Sequence, residues 1–389
     1  MRIAHVITRL ILGGAQENTV LCCQDLRNEY GDDVLLITGP ALGPEGSLIQ
    51  QARQAGIPLH VVDNLRRAIH PWRDYAAYRN IRRALHDFRP DVVHTHSAKG
   101  GVLGRYAAWS LGVPAIVHTV HGAPFHRYQP ALARAVFRHC ERAAARRCHH
   151  LISVADAMTD LMVQAGVAPR EKFTTVYSGM DVDPFLNAAQ HRQAVRTELG
   201  YAPHDIVIGK VARLFHLKGH TDIIQAARVV IPRQPNVRFL LVGDGTLKRN
   251  VQRQIHRANL EKYFHITGLV TPERVAQLMG AMDMVVHASL REGLARALPQ
   301  ALIAERPVIS YDVDGAREVA IDAVTGYLVP PRDTGALADS ICRLAGDAAA
   351  RERMGQEGRR RFTDQFRHEN MTAQLCKIYA RLLQSPYIK

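Results

Sequence analysis

Aromatic residues make up only 6% of this 389-residue chain, and no apolar run approaches the roughly 20 residues that a membrane-spanning helix requires. The longest runs, such as "DVLLITGP" and "MDMVVHASL", are short and bounded by charge, so they read as buried strands. The first residues, "MRIAHVITRLILGGAQ", lack the uninterrupted apolar core of a signal peptide because a His and a second Arg break the segment. A buried strand and a cytoplasmic chain are expected. Cysteine is present six times, as Cys22, Cys23, Cys140, Cys148, Cys342 and Cys376, but without a CxxC pair or zinc spacing. Free thiols in a reducing compartment follow. Low-complexity segments and short repeats are missing as well. Acidic residues are the remaining shortage: 36 face 50 Lys and Arg, a formal net charge of +14. Such a surplus suits nucleic acid, an anionic membrane surface or a polyanionic substrate. What remains, 47% hydrophobic and 22% charged, is the composition of a packed globular protein, and its length suits two domains.

Short Val, Ile and Leu runs recur between helix-length stretches. In the first half they are Ile3–Ile7, Val34–Ile37, Leu59–Val62, Val92–His94, Ala115–Val120, Leu151–Val154 and Thr174–Tyr177. The pattern restarts with Ile206–Val211, Val237–Val242, Phe264–Thr267, Met284–His287, Val308–Tyr311 and Tyr327–Val329. Near-continuous apolar strands alternating with helices predict two doubly wound parallel sheets with a ligand cleft beyond the strands' carboxyl ends. The division expected is 1–185, 186–365 and a terminal stretch 366–389, with a strandless linker near Pro184 to Pro203.

Three places carry chemistry. Gly13 and Gly14 stand between the first strand and a helix, where glycine lets backbone N–H groups approach an anion or simply makes a tight turn. Arg213 and Lys218 follow the first strand of the second half, a fork and a point charge suited to a diphosphate, although a solvated surface pair looks the same in sequence. Glu292 follows the strand Met284–His287, where a carboxylate accepts from sugar hydroxyls. The turn Gly293, Leu294 and Ala295 exposes N–H groups at a helix start. Gln300 lies two helical turns on and faces the same way if the helix starts near Ala295.

The motifs "LGGAQ", "PDVVHTHSAKGGVLGR", "IVHTVHGAPFH", "VYSGMDVDPF", "KVARLFHLKGH", "LVGDG", "EGLARALPQALIAERPVI" and "DGAREVAIDAVTGYLVPPRD" occur in that order along nearly the whole chain. In them the chain resembles the retaining glycosyltransferases of family 4, which have the two-Rossmann architecture called GT-B. The resemblance implies a nucleotide diphosphate sugar donor, a glycan or lipid-linked acceptor, and neither cofactor nor metal. It implies that Gly13, Gly14 and Gly243 lie along the donor and that Arg213 and Lys218 clamp the leaving diphosphate. It further implies that Glu292, with Leu294 and Ala295 beside it, holds the donor sugar. His121 would sit under that sugar, and Leu269 and Val270 along the base. It also implies that "FRHENMTAQLCKIYARLLQ" is a helix packed back on the first domain. One departure stands out. The family pattern E-x7-E carries Gln300 in place of its second Glu, which serves the ribose hydroxyls, so charge assistance is lost there.

His94, His96, His118 and His121 invite a metal reading, but they lack the carboxylates and supporting partners of a zinc site, so polar satisfaction is expected for His94, His96 and His118. Arg134, Arg138, Arg142 and Arg146 recur every fourth residue opposite Leu132, Val136, Cys140, Ala144 and Cys148. A second cluster comprises Arg66, Arg67, Arg73, Arg79, Arg82, Arg83 and Arg89. One such helix is usually a solvated face; two in one domain favour anionic headgroups over nucleic acid, for which no stacking platform is present. The expectation is a metal-independent hexosyltransferase of envelope or exopolysaccharide glycan synthesis, peripheral on the inner membrane face. A GT-B epimerase, a sugar-phosphate synthase, a donor-binding protein without turnover and a basic adaptor are the rivals.

Overall fold

The structure, a computed structural model, describes residues 1–43 and 46–384; 385–389, the end of the predicted terminal stretch, lie outside the described residues. The chain forms two compact units, Met1–Met180 with the segment from Phe366, and Asp181–Gln365.

In the first unit the strands are β1 (Arg2–Ile7), β2 (Asp33–Thr38), β3 (Leu59–Val61), β4 (Val92–His96), β5 (Ala115–Val120), β6 (His150–Ser153) and β7 (Phe173–Thr175). All pair parallel in the order β3-β2-β1-β4-β5-β6-β7. Between them run α1 (Gly14–Asn28), α2 (Ile49–Gln54), α3 (Pro71–Phe88), α4 (Ala98–Ser110), α5 (Ala131–Ala145) and α6 (Asp156–Gln164). The chain winds outward from β1 to β3, then returns to the other flank of β1 as β4. Right-handed crossovers therefore place α1 and α2 on one face and the later helices on the other. The reversal opens a crevice between the carboxyl ends of β1 and β4, the place where such sheets bind ligands.

The second unit begins with α7 (Asp183–Leu186) and α8 (Arg192–Glu198). Its strands are β8 (Ile206–Val211), β9 (Val237–Val242), β10 (Phe264–Ile266), β11 (Met284–His287), β12 (Val308–Tyr311) and β13 (Gly326–Val329), in the order β10-β9-β8-β11-β12-β13. The helices α9 (His220–Arg233), α10 (Lys248–Arg257), α11 (Pro272–Ala281), α12 (Ala297–Ile303), α13 (Thr334–Gly346) and α14 (Ala348–Phe362) complete it. Here the winding reverses between β8 and β11.

The stretch from Pro184 to Pro203 is not a loose linker. Its helix α8 buries Arg196, whose Nη2 donates to Asp283 Oδ2 at 2.6 Å, while Arg192 Nη2 donates to Oδ1 of the same carboxylate at 2.6 Å. That ion-paired carboxylate, not an apolar strand, binds the segment to the second unit, and hydropathy alone does not register it. The last helix, α15 (His368–Gln384), returns to the first unit against α1. Its Met371, Leu375, Ile378, Tyr379 and Leu382 enter the core with Ile3, Leu26 and Val34. Asp25 of α1 accepts from Thr372 Oγ1 at 2.7 Å and faces His368 Nδ1 at 2.9 Å.

Candidate active site

In the second unit, β8 ends at Val211 and Arg213 follows, its guanidinium 5.1 Å from the centre of the Phe215 ring. The loop then reaches Lys218 and Gly219. Gly219 has φ of 70°, and a Cβ there would lie 1.8 Å from the Ala288 carbonyl oxygen, so only glycine lets the loop after β8 pass the end of β11. That close approach brings the two loops together. Lys218 Nζ donates to Glu292 Oε1 at 2.5 Å, and His287 Nε2 lies 3.1 Å from the same oxygen. A carboxylate only accepts, so His287 Nε2 carries the proton. The Glu292 backbone N–H donates to Asp314 Oδ2 at 2.7 Å, fixing the turn that presents the side chain.

Burial alone would raise the Glu292 carboxyl, but the Lys218 charge and the His287 hydrogen bond outweigh it and hold the group far below the usual carboxylate range. Glu292 is therefore an anion. Burial, followed by the Lys210 charge, pushes His287 down to about 4, so it is a neutral donor. Lys210 escaped the sequence reading, although a single Lys inside "IVIGKV" was a visible anomaly. Its amine is buried without a hydrogen-bond partner among the described residues, and burial, then the Lys218 charge, lowers it to about 7.

The remaining residues expected on the donor side of this unit occupy the same sheet end. Gly243 follows β9 with φ of 140°, and a Cβ would sit 2.3 Å from the Ala212 carbonyl oxygen. It bridges to Gly268, after which Leu269 is exposed and Val270 partly buried. Gly293 accepts from the Gly315 N–H at 3.1 Å, and Leu294 and Ala295 continue the loop. Helix α12 starts at Ala297, close to the expected Ala295, whose carbonyl accepts from the Leu298 N–H at 3.0 Å, and partly buried Gln300 lies at the end of its first turn.

In the first unit, the Gly13 carbonyl accepts from the N–H groups of Gln16 and Glu17 at 3.1 and 3.0 Å and so opens α1, with Gly14 its first residue. His121 follows β5, and its Nε2 lies 3.1 Å from His96 Nδ1. His94 is held on both sides, by Tyr379 Oη at 2.5 Å and Thr119 Oγ1 at 2.7 Å. His118 Nδ1 meets Thr95 Oγ1 at 2.9 Å. His5, His94 and His96 bring nitrogens within 4.8 Å of one another. The rings of His5 and His96 are nearly parallel, 10° apart, and hydrogen bonded to each other, whereas ligation requires lone pairs aimed at one point.

The basic helix departs from expectation. Only Ala144 and Cys148 of the five apolar positions are buried; Leu132, Val136 and Cys140 are exposed, Leu132 at 78%. Amphipathic spacing sets which residues share a face, not whether a partner covers it. Arg134, Arg138 and Arg146 are exposed. Arg142 is instead a structural residue, donating through Nε and Nη2 to the carbonyls of Gly166 and Ala165 at 2.6 and 3.1 Å and closing the end of α6. Exposed Ile69, Trp72 and Tyr75 surround the start of α3 beside the second arginine cluster. None of the described helices is long and apolar enough to cross a membrane.

Residues 13–179 match the family model described as glycosyl transferase 4-like domain, and 191–361 match glycosyl transferases group 1. An Escherichia coli relative named UDP-Gal:alpha-D-GlcNAc-diphosphoundecaprenol alpha-1,3-galactosyltransferase is 27% identical, with 89% of this chain and 88% of that protein aligned. The Staphylococcus aureus capsular polysaccharide biosynthesis glycosyltransferase CapM is 23% identical over 80% of this chain and 84% of its own. Among solved structures, Anabaena Alr3699/HepE in complex with UDP superposes with a TM-score of 0.81 at 22% identity, covering 98% of this chain and 100% of that one. With both sheets, the ordered motifs and the two models in agreement, the chain belongs to the family 4 glycosyltransferases of GT-B fold.

Proposed function

We propose that the protein moves a sugar from a UDP- or GDP-sugar to a hydroxyl of a glycan or lipid-linked acceptor, with retention of configuration and without a metal, in envelope or exopolysaccharide synthesis. The observation that carries this reading is the cationic pair Arg213 and Lys218 at the end of β8, with Lys218 seated against Glu292. Two cations at a sheet's switch point stabilise the charge that develops on a departing diphosphate, the task a divalent ion performs elsewhere. Glu292 accepts from sugar hydroxyls, and His121 lies against the sugar. Leu269 and Val270 flank the base, while Gly13, Gly14, Gly243 and the turn Gly293 to Ala295 let backbone approach the donor. In the same-face displacement, the bond from the anomeric carbon to the phosphate oxygen breaks and that to the acceptor oxygen forms. The acceptor's proton passes to the departing phosphate oxygen.

The test is a product assay with labelled UDP- and GDP-sugars in EDTA, with the anomeric configuration read by NMR. A glycoside of unchanged configuration is expected. An epimerised nucleotide sugar, a free sugar phosphate, or loss of activity that manganese or magnesium restores contradicts the proposal. Donor binding with no product favours the binding-protein reading that Gln300 motivates.

The acceptor side is expected at an anionic membrane surface on the cytoplasmic face. Exposed Arg134 and Arg138 beside Leu132 and Val136, with Trp72 near the second cluster, combine charge and apolar area as interfacial helices do. Co-sedimentation with anionic vesicles, weakened by salt and by Arg134→Glu with Arg138→Glu, is the expected result; equal binding to neutral vesicles contradicts it.

Gln300→Glu should tighten the donor by about 1 to 2 kcal/mol, the gain of a charge-assisted over a neutral hydrogen bond to ribose. The effect belongs in donor KM and not kcat, since the ribose is held equally in ground and transition states. Calorimetry with the nucleotide product checks it, and weaker binding by the variant removes Gln300 from the ribose.

A further inference from the structure

Three imidazoles of the first unit are joined end to end. His5 Nδ1 of β1 meets His96 Nε2 of β4 at 3.0 Å, and His96 Nδ1 meets His121 Nε2 at 3.1 Å. A neutral imidazole has one N–H, so each contact contains one proton and the chain runs wholly in one direction or the other. Running outward, His5 Nδ1–H donates to His96 Nε2, His96 Nδ1–H donates to His121 Nε2, and a bare lone pair is left at His5 Nε2. Running inward, His121 Nε2–H begins the chain and an N–H is left at His5 Nε2. That nitrogen is buried and has no hydrogen-bond partner among the described residues. A buried N–H without an acceptor is the rarer and costlier orphan, so the outward direction is favoured.

The surroundings keep the chain in register. The His96 ring meets His5 nearly coplanar and end-on, with centroids 5.2 Å apart, and packs against the His94 ring at 4.2 Å; His94 is itself pinned by Thr119 and by Tyr379 of α15. A ring flip at His96 would have to displace the His94 ring packed against it and break the contact with His5. Burial lowers His5 to about 3 and holds His96 well below the usual imidazole range, so neither gains the second proton that would set two donors against each other.

We infer that His5 and His96 are positioning residues that lock His121 as the Nδ1–H tautomer, making Nδ1 the nitrogen through which it donates to a hydroxyl oxygen of the donor sugar. The last clause rests on the placement of His121 proposed above. The lock does not.

Two-bond proton–nitrogen correlation spectra of the full chain with 15N-labelled histidine, recorded without donor, test the lock. His5, His96 and His121 should all show protonated Nδ1 and bare Nε2, the opposite of the tautomer free histidine prefers in water. Protonated Nε2 at His121, or an averaged signal, overturns the inference, and no variant has to fold for this result. His96→Phe retains a ring against His94 but removes both hydrogen-bonded contacts, so His121 should then show a mixture of tautomers. Turnover should fall by roughly tenfold or more, the scale on which loss of a tautomer-fixing partner acts. A His121 signal unchanged in His96→Phe overturns the lock. Tautomers that scramble while kcat and KM stay constant uphold the lock and remove His121 from the sugar.

Discussion

Alanine at Lys218 is expected to lower kcat/KM by about 100-fold or more, on the order of 3 kcal/mol of transition-state stabilisation, and alanine at Arg213 to act on a similar scale. The ion pair gives the Lys218 result a particular form. Lys218 Nζ sits 2.5 Å from Glu292 Oε1, so its removal deletes the cation proposed to face the diphosphate and also releases the carboxylate from its principal counter-charge. Glu292 would then keep its carboxylate hydrogen bond with His287, and the charges of Lys210 and Arg291 would still act on it. Its carboxyl should titrate at higher pH than in the parent protein, because the cation that holds it down is gone. A double-mutant cycle with Glu292→Gln separates the two effects. If Lys218 acts only by orienting Glu292, the double variant is no slower than Glu292→Gln alone; if it acts on the leaving group, the losses accumulate. Parent-like kcat/KM in both Lys218→Ala and Arg213→Ala removes the clamp altogether.

Glu141→Ala should destabilise the first unit by about 3 to 5 kcal/mol, with a fall in Tm on the order of 10 °C. Glu141 is the acid in the arginine-rich helix α5, and it is buried. Arg105 of α4, fully buried, donates to its Oε1 at 2.7 Å, and His118 Nε2 lies 3.7 Å away. Truncating the acid leaves the buried Arg105 guanidinium without its counter-charge, beside the Gly101 carbonyl and Cys148, and with an Nη1 that has no hydrogen-bond partner among the described residues. The penalty is for an uncompensated charge, not for a lost attraction. Replacing both partners, Arg105→Met with Glu141→Leu, should therefore recover most of the stability. Urea unfolding followed by hydrogen exchange in α4 and α5 checks the effect. A single variant as stable as the parent would show that water reaches Arg105.

These two residues also show what sequence can and cannot convey. Most strands of both sheets were legible as short Val, Ile and Leu runs bounded by turns, and edge strands such as Phe173–Thr175 and Phe264–Ile266 by their place in the alternation with helices. The placement of Arg213, Lys218 and Glu292 at the carboxyl end of a sheet was legible because each follows such a strand. Glu141 looked like a lone acid on a solvated arginine face, since no local pattern announces that Arg105, 36 residues earlier, comes to meet it. Likewise Arg142 reads as a surface cation until α6 delivers its terminal carbonyls, and His5 reads as an oddity in an apolar strand until β4 is laid beside β1. Pairings across elements depend on topology, and topology is what single-sequence periodicity leaves out.

The return of α15 to the first sheet bears on how the chain matures during synthesis. Residues 1–180 leave the ribosome early, yet their core has gaps where Met371, Leu375, Ile378, Tyr379 and Leu382 belong. At about 5–20 residues per second, the missing helix follows roughly 10–40 s later. The continuous segment Asp181–Gln365 has no such wait. The order of maturation is therefore expected to invert the order of translation, with the second unit closing while the nascent first one still shows an apolar face to chaperones and proteases. A chain stalled before residue 366 would carry a finished second unit attached to an unfinished first one.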